Sequence, residues 1–170
     1  TLVSTTIKEW YTRKFEFDGD REGAERAADA LIMDLVCMIQ LPGTRTPWAI
    51  ILQSIVHGTG KSGVLTALLR GLLKNDFAIL MSMKEATGQF DPLEKETLAC
   101  LLDDADCKKQ NLENFKSRVS NKMVNSNKKY GKMEQKNNVT KYFATTNTAV
   151  AKILFGKHQI RRWKVFVVNL

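Results

Sequence analysis

No apolar run in this chain approaches the roughly 20 residues that a bilayer-spanning helix needs, and no signal peptide is visible. A membrane partner is therefore not expected. Cysteine is scarce: Cys37, Cys100 and Cys107 are odd in number and lack metal-ligand spacing. Cys37 and Cys100 sit in apolar runs and read as core thiols, which favours a reducing compartment, the cytoplasm or host-cell interior. His57 and His158 lie too far from any Cys pair to suggest zinc. No internal repeat is present. What remains is a chain of 170 residues, 44% hydrophobic. That is enough for one domain with a proper core, or for the core piece of a longer protein, and the start at Thr1 favours the second.

The net charge of +8 is unevenly placed. Between Lys108 and Lys141 ten cationic side chains face only Glu113 and Glu134, so this segment holds the whole excess. A basic surplus confined to one stretch points to a polyanion, against the plainer reading of a solvated lysine-rich face.

Residues 1–20 form an N-terminal segment that mixes charge with Trp10, Tyr11, Phe15 and Phe17, and ends in the turn Asp18-Gly19-Asp20. From Arg21 to Gln40 apolar residues recur every three or four positions, which predicts an amphipathic helix stopped by Leu41-Pro42-Gly43. Strands are expected at Trp48–Leu52, Phe77–Met81, Leu98–Leu102, Val139–Thr145 and Trp163–Val168. Helices are expected over Gly60–Lys74 and from Asp106 through Val119. Ala86–Pro92 reads as a loop, Asn121–Asn138 as an exposed hairpin or loop, and Val150–His158 as a connecting segment. Strands alternating with helices predict an α/β three-layer sandwich around a mainly parallel sheet, spanning residues 21–170.

Within that order, His57-Gly58-Thr59-Gly60-Lys61-Ser62 follows an apolar strand and opens a helix. Glycines let backbone N–H groups curl inward, and the helix N-terminus adds partial positive charge, so a phosphate fits there. Lys61 is placed to reach the β- and γ-phosphates of ATP and the Ser62 hydroxyl to ligate Mg²⁺. The plain alternative is a helix-capping Gly/Ser turn. The full phosphate-loop pattern carries another glycine five residues before the Gly-Lys pair, where this chain has Ile55.

Leu98–Leu102 delivers Asp103 and Asp104 to the end of a strand, where open α/β sheets place their ligands. Asp103 would hold Mg²⁺ through its water shell and Asp104 would polarise an attacking water, unless the pair is simply a strand-end turn. Asn147, after Tyr142-Phe143-Ala144-Thr145-Thr146, is either a turn residue or an amide that orients the water and senses the γ-phosphate. Arg161 and Arg162 are either a surface pair or an arginine finger for a neighbouring subunit's ATP, which requires a ring.

The ordered set resembles the superfamily-3 helicase domain of viral, phage and plasmid replication proteins, particularly the primase-helicase type. The resemblance runs from Leu31–Val36 and Gln40–Gly43 through Gly58–Ser62, Thr87–Asp91, Leu101–Ala105, Phe115-Lys116, Asn138 and Ala144–Asn147 to Arg161-Arg162-Trp163. It implies an AAA+-like P-loop NTPase core, a hexameric ring and ATP-driven 3′-to-5′ translocation on single-stranded DNA, with a primase domain elsewhere in the same chain. It also implies a basic hairpin in the central channel, which makes Lys128, Lys129 and Lys132 the DNA-contacting candidates. Asp104 stands where the family usually has Glu, one methylene longer. That departure and Ile55 keep a second expectation open: a degenerate nucleic-acid-binding or scaffold subunit without turnover. A monomeric P-loop kinase would explain the loop and leave the lysine segment without a purpose.

Overall fold

The computed structural model describes residues 2–44, 46–74, 77–80, 83–86, 97–127, 133–150 and 160–169. Helix α1 (Leu2–Phe15) precedes α2 (Arg21–Gln40), and β1 (Ala49–Gln53) then leads into α3 (Lys61–Leu73). After them come β2 (Phe77–Leu80), the single turn α4 (Met83–Ala86), β3 (Ala99–Leu102) and α5 (Lys109–Ser120). A hairpin of β4 (Met123–Asn127) and β5 (Met133–Asn137), then β6 (Lys141–Thr146), a 3-10 turn at Ile160–Arg162 and β7 (Trp163–Val167) complete the order.

Five strands form one sheet in the order β2-β3-β6-β1-β7, every neighbouring pair parallel. The strands β1, β3 and β6 are buried along their whole length; β1 and β3 accordingly read as near-continuous apolar runs, whereas β6 also buries Lys141, Thr145 and Thr146. Their side chains alternate between two cores. Ala49, Ile51, Cys100, Leu102, Tyr142 and Ala144 face α5, packing on Leu112, Phe115 and Val119. Ile50, Leu52, Ala99, Leu101 and Phe143 face the other way, against α1, α2 and α3. The expected α/β layering around a parallel sheet is therefore present.

The order also fixes where a site forms. The chain leaves β1, passes beyond β6 to β2 and β3, and returns to lay β6 between β3 and β1. The carboxyl ends of β1, β3 and β6 thus sit side by side, with Leu52 opposite Thr145 and Leu102 opposite Ala144.

Helix α1 departs from the sequence reading, which assigned no helix there. Ile7, Trp10, Tyr11 and Phe15 recur at helical spacing and face the core, and Phe15 stacks on Phe166 at 5.3 Å. The Asn169 N–H donates to the Lys14 carbonyl at 2.7 Å, tying α1 to the end of β7. Helix α2 has the expected bounds, with Asp20 accepting from the Gly23 N–H at 2.8 Å as its N-cap. Cys37 is half-buried rather than a core thiol, whereas Cys100 and Cys107 are fully buried; all three are free. Burial pushes the Cys107 thiol up to about 12.

The stretch expected as a hairpin or loop contains the antiparallel pair β4 and β5, with Met123 opposite Asn137. Asn138 anchors its base, its Nδ2 donating to the carbonyls of Arg118 at 2.6 Å and Asn121 at 3.0 Å. Lys128, Lys129 and Lys132 lie outside the described residues. So, apart from Ala86 and Val150, do the loop expected over 86–92 and the connecting segment expected over 150–158.

Candidate functional site

The loop between β1 and α3 turns through two left-handed glycines, Gly58 at φ +78 and Gly60 at φ +80. A side chain at either position would be strained by that backbone alone. Gly60 is the N-cap of α3 and offers no side-chain hydrogen bond, so no side chain at the cap position competes for the helix's first N–H groups. His57 and Gly58 are exposed, while Thr59 is buried with its hydroxyl lacking a hydrogen-bond partner among the described residues. An orphaned buried hydroxyl fits a loop built to close on a polar ligand.

Lys61 and Ser62 point from the first turn of α3 towards the ends of β3 and β6. The Lys61 Nζ donates to Asn147 Oδ1 at 2.7 Å, and Asn147 Nδ2 donates to Asp104 Oδ1 at 3.0 Å. Beside this chain runs a second one. Ser62 Oγ donates to Thr145 Oγ1 at 3.0 Å, and Thr145 Oγ1 donates to Asp103 Oδ1 at 2.8 Å. The Asp104 N–H reaches both Thr145 Oγ1 and Asp103 Oδ1 at 3.0 Å. Lys61, Ser62, Asp103, Asp104 and Asn147 are thus gathered at one sheet edge.

Strand periodicity explains the gathering. Asp103 lies two residues beyond Leu101, and Thr145 two beyond Phe143, so both share the sheet face that packs on α3. Asp104 breaks the strand with a left-handed backbone, φ +48, which aspartate tolerates better than most residues. That twist turns its carboxylate to Asn147. Burial alone would raise the Asp103 carboxyl; hydrogen bonds from Ser62, Thr145 and the Asp104 N–H, with the Lys61 charge nearby, outweigh it and hold the group below its ordinary range.

Thr145 was missed as a site residue. It is fully buried and bonded to both Ser62 and Asp103, and its signal was its parity with Phe143 beside a strand ending in two aspartates. Among the described residues no group of three or more His, Cys, Asp or Glu is placed to hold a metal. Ser62 and the ionised Asp103 are nevertheless hard oxygen donors beside the loop, the donor type that Mg²⁺ takes when a phosphate supplies the rest.

Arg161 and Arg162 are not brought to this edge. They precede β7, whose Trp163 lies opposite Ala49 at the start of β1, so a strand length of about 15 Å separates them from the loop. The two arginines line a cavity of about 520 Å³ with Pro47, Trp48 and Ser120. Arg162 Nε donates to Ser120 Oγ at 2.6 Å, while Arg161 is exposed.

These features define an α/β protein whose parallel sheet collects a lysine, two aspartates and an asparagine at its carboxyl edge. A family model described as a family of unknown function, DUF5906, matches residues 52–162, and the chain belongs to that family. The match takes in the loop, the acid pair, Asn147 and both arginines. No curated protein matches the sequence. Among solved structures, the apo C-terminal region of NrS-1 superposes with a TM-score of 0.73 at 20% identity, covering 96% of this chain and 38% of that one. Its A form gives 0.72 at 18% identity, covering 99% and 38%, and a further A-form structure 0.70 at 21%, covering 97% and 37%. The fold is shared, and the present chain spans well under half the length of those structures. Among the described residues no helix is long and apolar enough to cross a membrane.

Proposed function

We propose that the chain is the ATP-driven DNA helicase or translocase domain of a replication protein from a virus, phage or mobile element. The observation that carries the reading is the pair of hydrogen-bonded chains joining the glycine loop to Asp104 through Asn147 and to Asp103 through Thr145. The motif order resembles superfamily-3 helicases, and a fold shared with the NrS-1 C-terminal region supports a place among replication proteins.

In this reading the loop amides and Lys61 take the triphosphate. Lys61 now spends its charge on an amide oxygen, a weaker partner than a γ-phosphate oxygen. Binding therefore exchanges the Lys61–Asn147 bond for a Lys61–phosphate bond and releases Asn147, still tied to Asp104. The freed amide and the Asp104 carboxylate are then both available to a water beyond the γ-phosphate, Asn147 orienting it and Asp104 accepting from it. Ser62 and Asp103 would hold Mg²⁺, which when bound neutralises charge on the β- and γ-phosphates.

The arginines sit too far from the loop of their own chain to touch its γ-phosphate, which suits a role in a neighbouring subunit's site. Arg161 is the better finger, because Arg162 is held by Ser120. Residues 128–132, which β4 and β5 bracket, would present lysines to single-stranded DNA by charge alone, making binding salt-sensitive and sequence-blind.

The test is ATP hydrolysis with and without single-stranded DNA, alongside solution mass. Turnover stimulated by DNA, dependent on ring assembly and lost in Lys61→Ala, supports the reading. Turnover by a monomer indifferent to DNA overturns it. One observation favours a degenerate subunit: Asp104 is a methylene shorter than the family's Glu and already engaged by Asn147. Retained, salt-dependent DNA binding with no hydrolysis would select that reading.

A further inference from the structure

The amino edge of the same sheet holds a second polar cluster that the nucleotide reading does not use. Asp34 of α2 is buried, 5% exposed, and receives three donors. Lys164 Nζ reaches its Oδ2 at 2.8 Å, while Lys141 Nζ at 3.3 Å and the Trp48 indole N–H at 3.1 Å reach its Oδ1. Lys141, only 4% exposed, also donates to Thr46 Oγ1. Both ammonium groups lie over the Trp48 ring, 4.8 Å and 4.3 Å from its centroid.

This cluster floors a cavity of about 310 Å³, the small end of the range for ligand pockets. Its other walls are largely apolar, with Met33, Met38, Leu41 and Val139 among them. Met33 and Leu41 are 62% and 55% exposed at its rim. The titratable groups facing the space, among the described residues, are Asp34, Lys141, Lys164 and Cys37. One carboxylate thus answers two ammonium groups. Burial pushes Lys141 down to about 8, with Asp34 and Cys37 opposing and the like charge of Lys164 assisting. An excess cation in an apolar hollow is unfavourable, and an entering anion relieves it.

We propose that this cavity binds a small amphipathic carboxylate, its head on Lys141 and Lys164 and its apolar body against Met33, Met38 and Leu41. The site stands at the opposite sheet edge from the glycine loop and does not depend on the nucleotide reading. Among the described residues the excess is a single charge, which matches a single negative head.

Titrating the chain with octanoate and with uncharged 1-octanol, while following the Trp48 indole N–H resonance, tests this. That proton rests on Asp34 and senses the head group; Trp48→Phe assigns it, and the Trp10 and Trp163 resonances report an intact fold. The expected result is a saturable shift with octanoate at least about 10-fold tighter than with octanol. Lys164→Gln should erase the preference, and Met33→Glu should weaken octanoate about 10-fold by placing a like charge at the rim. Raising the pH from about 7 to about 9 should reduce the preference as Lys141 loses its proton. A Trp48 signal unmoved at about 10 mM octanoate, or moved equally by octanol, overturns the proposal. So does a preference that survives in Lys164→Gln.

Discussion

Along β6, Lys141 and Thr145 lie four residues apart on the same sheet face, one at each edge, and each belongs to a cluster that includes side chains from a helix and from another strand or its end. At the carboxyl edge the partners are short, Ser62, Asp103, Asp104 and Asn147, and several sit on loops that end strands. At the amino edge they are long side chains rooted within β6 and β7 and a carboxylate from mid-α2. In the proposed function the first network would exchange a single bond, Lys61 to Asn147, for a stronger anion. The second holds two cations on one buried carboxylate, and a further anion would add to that arrangement without displacing Asp34. One edge is arranged to change partners, the other to keep them.

Removing Asp34 should therefore hurt most. Asp34→Ala leaves the buried Lys141 ammonium uncompensated, while Lys164, 38% exposed, keeps water, and is expected to cost about 3 kcal/mol in urea unfolding. Lys61→Ala should leave unfolding within about 1 kcal/mol of the parent, since it removes a single bond at an edge built to exchange it. If both variants unfold alike, the contrast between the edges fails. On the other axis, Lys61→Ala should lower ATP hydrolysis by about 100-fold to 1,000-fold, while Lys164→Gln leaves it within about 3-fold.

Thr145→Val sharpens the comparison, because it keeps shape and deletes the hydroxyl that joins Ser62 to Asp103. The expected cost is about 1 to 3 kcal/mol of stability, and hydrolysis should fall by about 10-fold. A variant with unchanged stability and turnover would show that the second hydrogen-bond chain is incidental.

A further comparison is a pH dependence. Lys141 is held near 8 in the fold against an ordinary 10.5, so the unfolded chain binds more protons between those values. Its contribution to stability should therefore rise as pH climbs from about 8 towards 10.5, by at most about 1.4 kcal/mol per pH unit, and flatten above. Lys141→Met should remove that slope. Asp103, also lowered by the fold, carries the same sign in the acid range: its stability is present above the ordinary aspartate value and lost as pH falls through the folded value.

What could be read from the chain followed local pattern. The glycine loop between an apolar strand and a helix, the acid pair after Leu102 and the helix over Arg21–Gln40 all advertise themselves within a short window. Thr145 did not, because a threonine in a strand has an ordinary reason to be there; only pairing with β3 and β1 shows that its hydroxyl meets Asp103 and Ser62. The Asp34 cluster was illegible for a similar reason, since its two lysine partners are 107 and 130 residues away. Helix α1 carries the helical spacing of Ile7, Trp10, Tyr11 and Phe15 openly, but its β-branched and aromatic residues are weak helix formers, and the helix is secured by tertiary packing such as Phe15 on Phe166.

Calorimetric titration of the chain with Mg²⁺ and a non-hydrolysable ATP analogue, compared with Lys61→Ala, tests the central claim most directly. The account predicts saturable binding by the parent, weakened at least about 10-fold in the variant. Equal affinity in the two, or no binding by the parent, would contradict it.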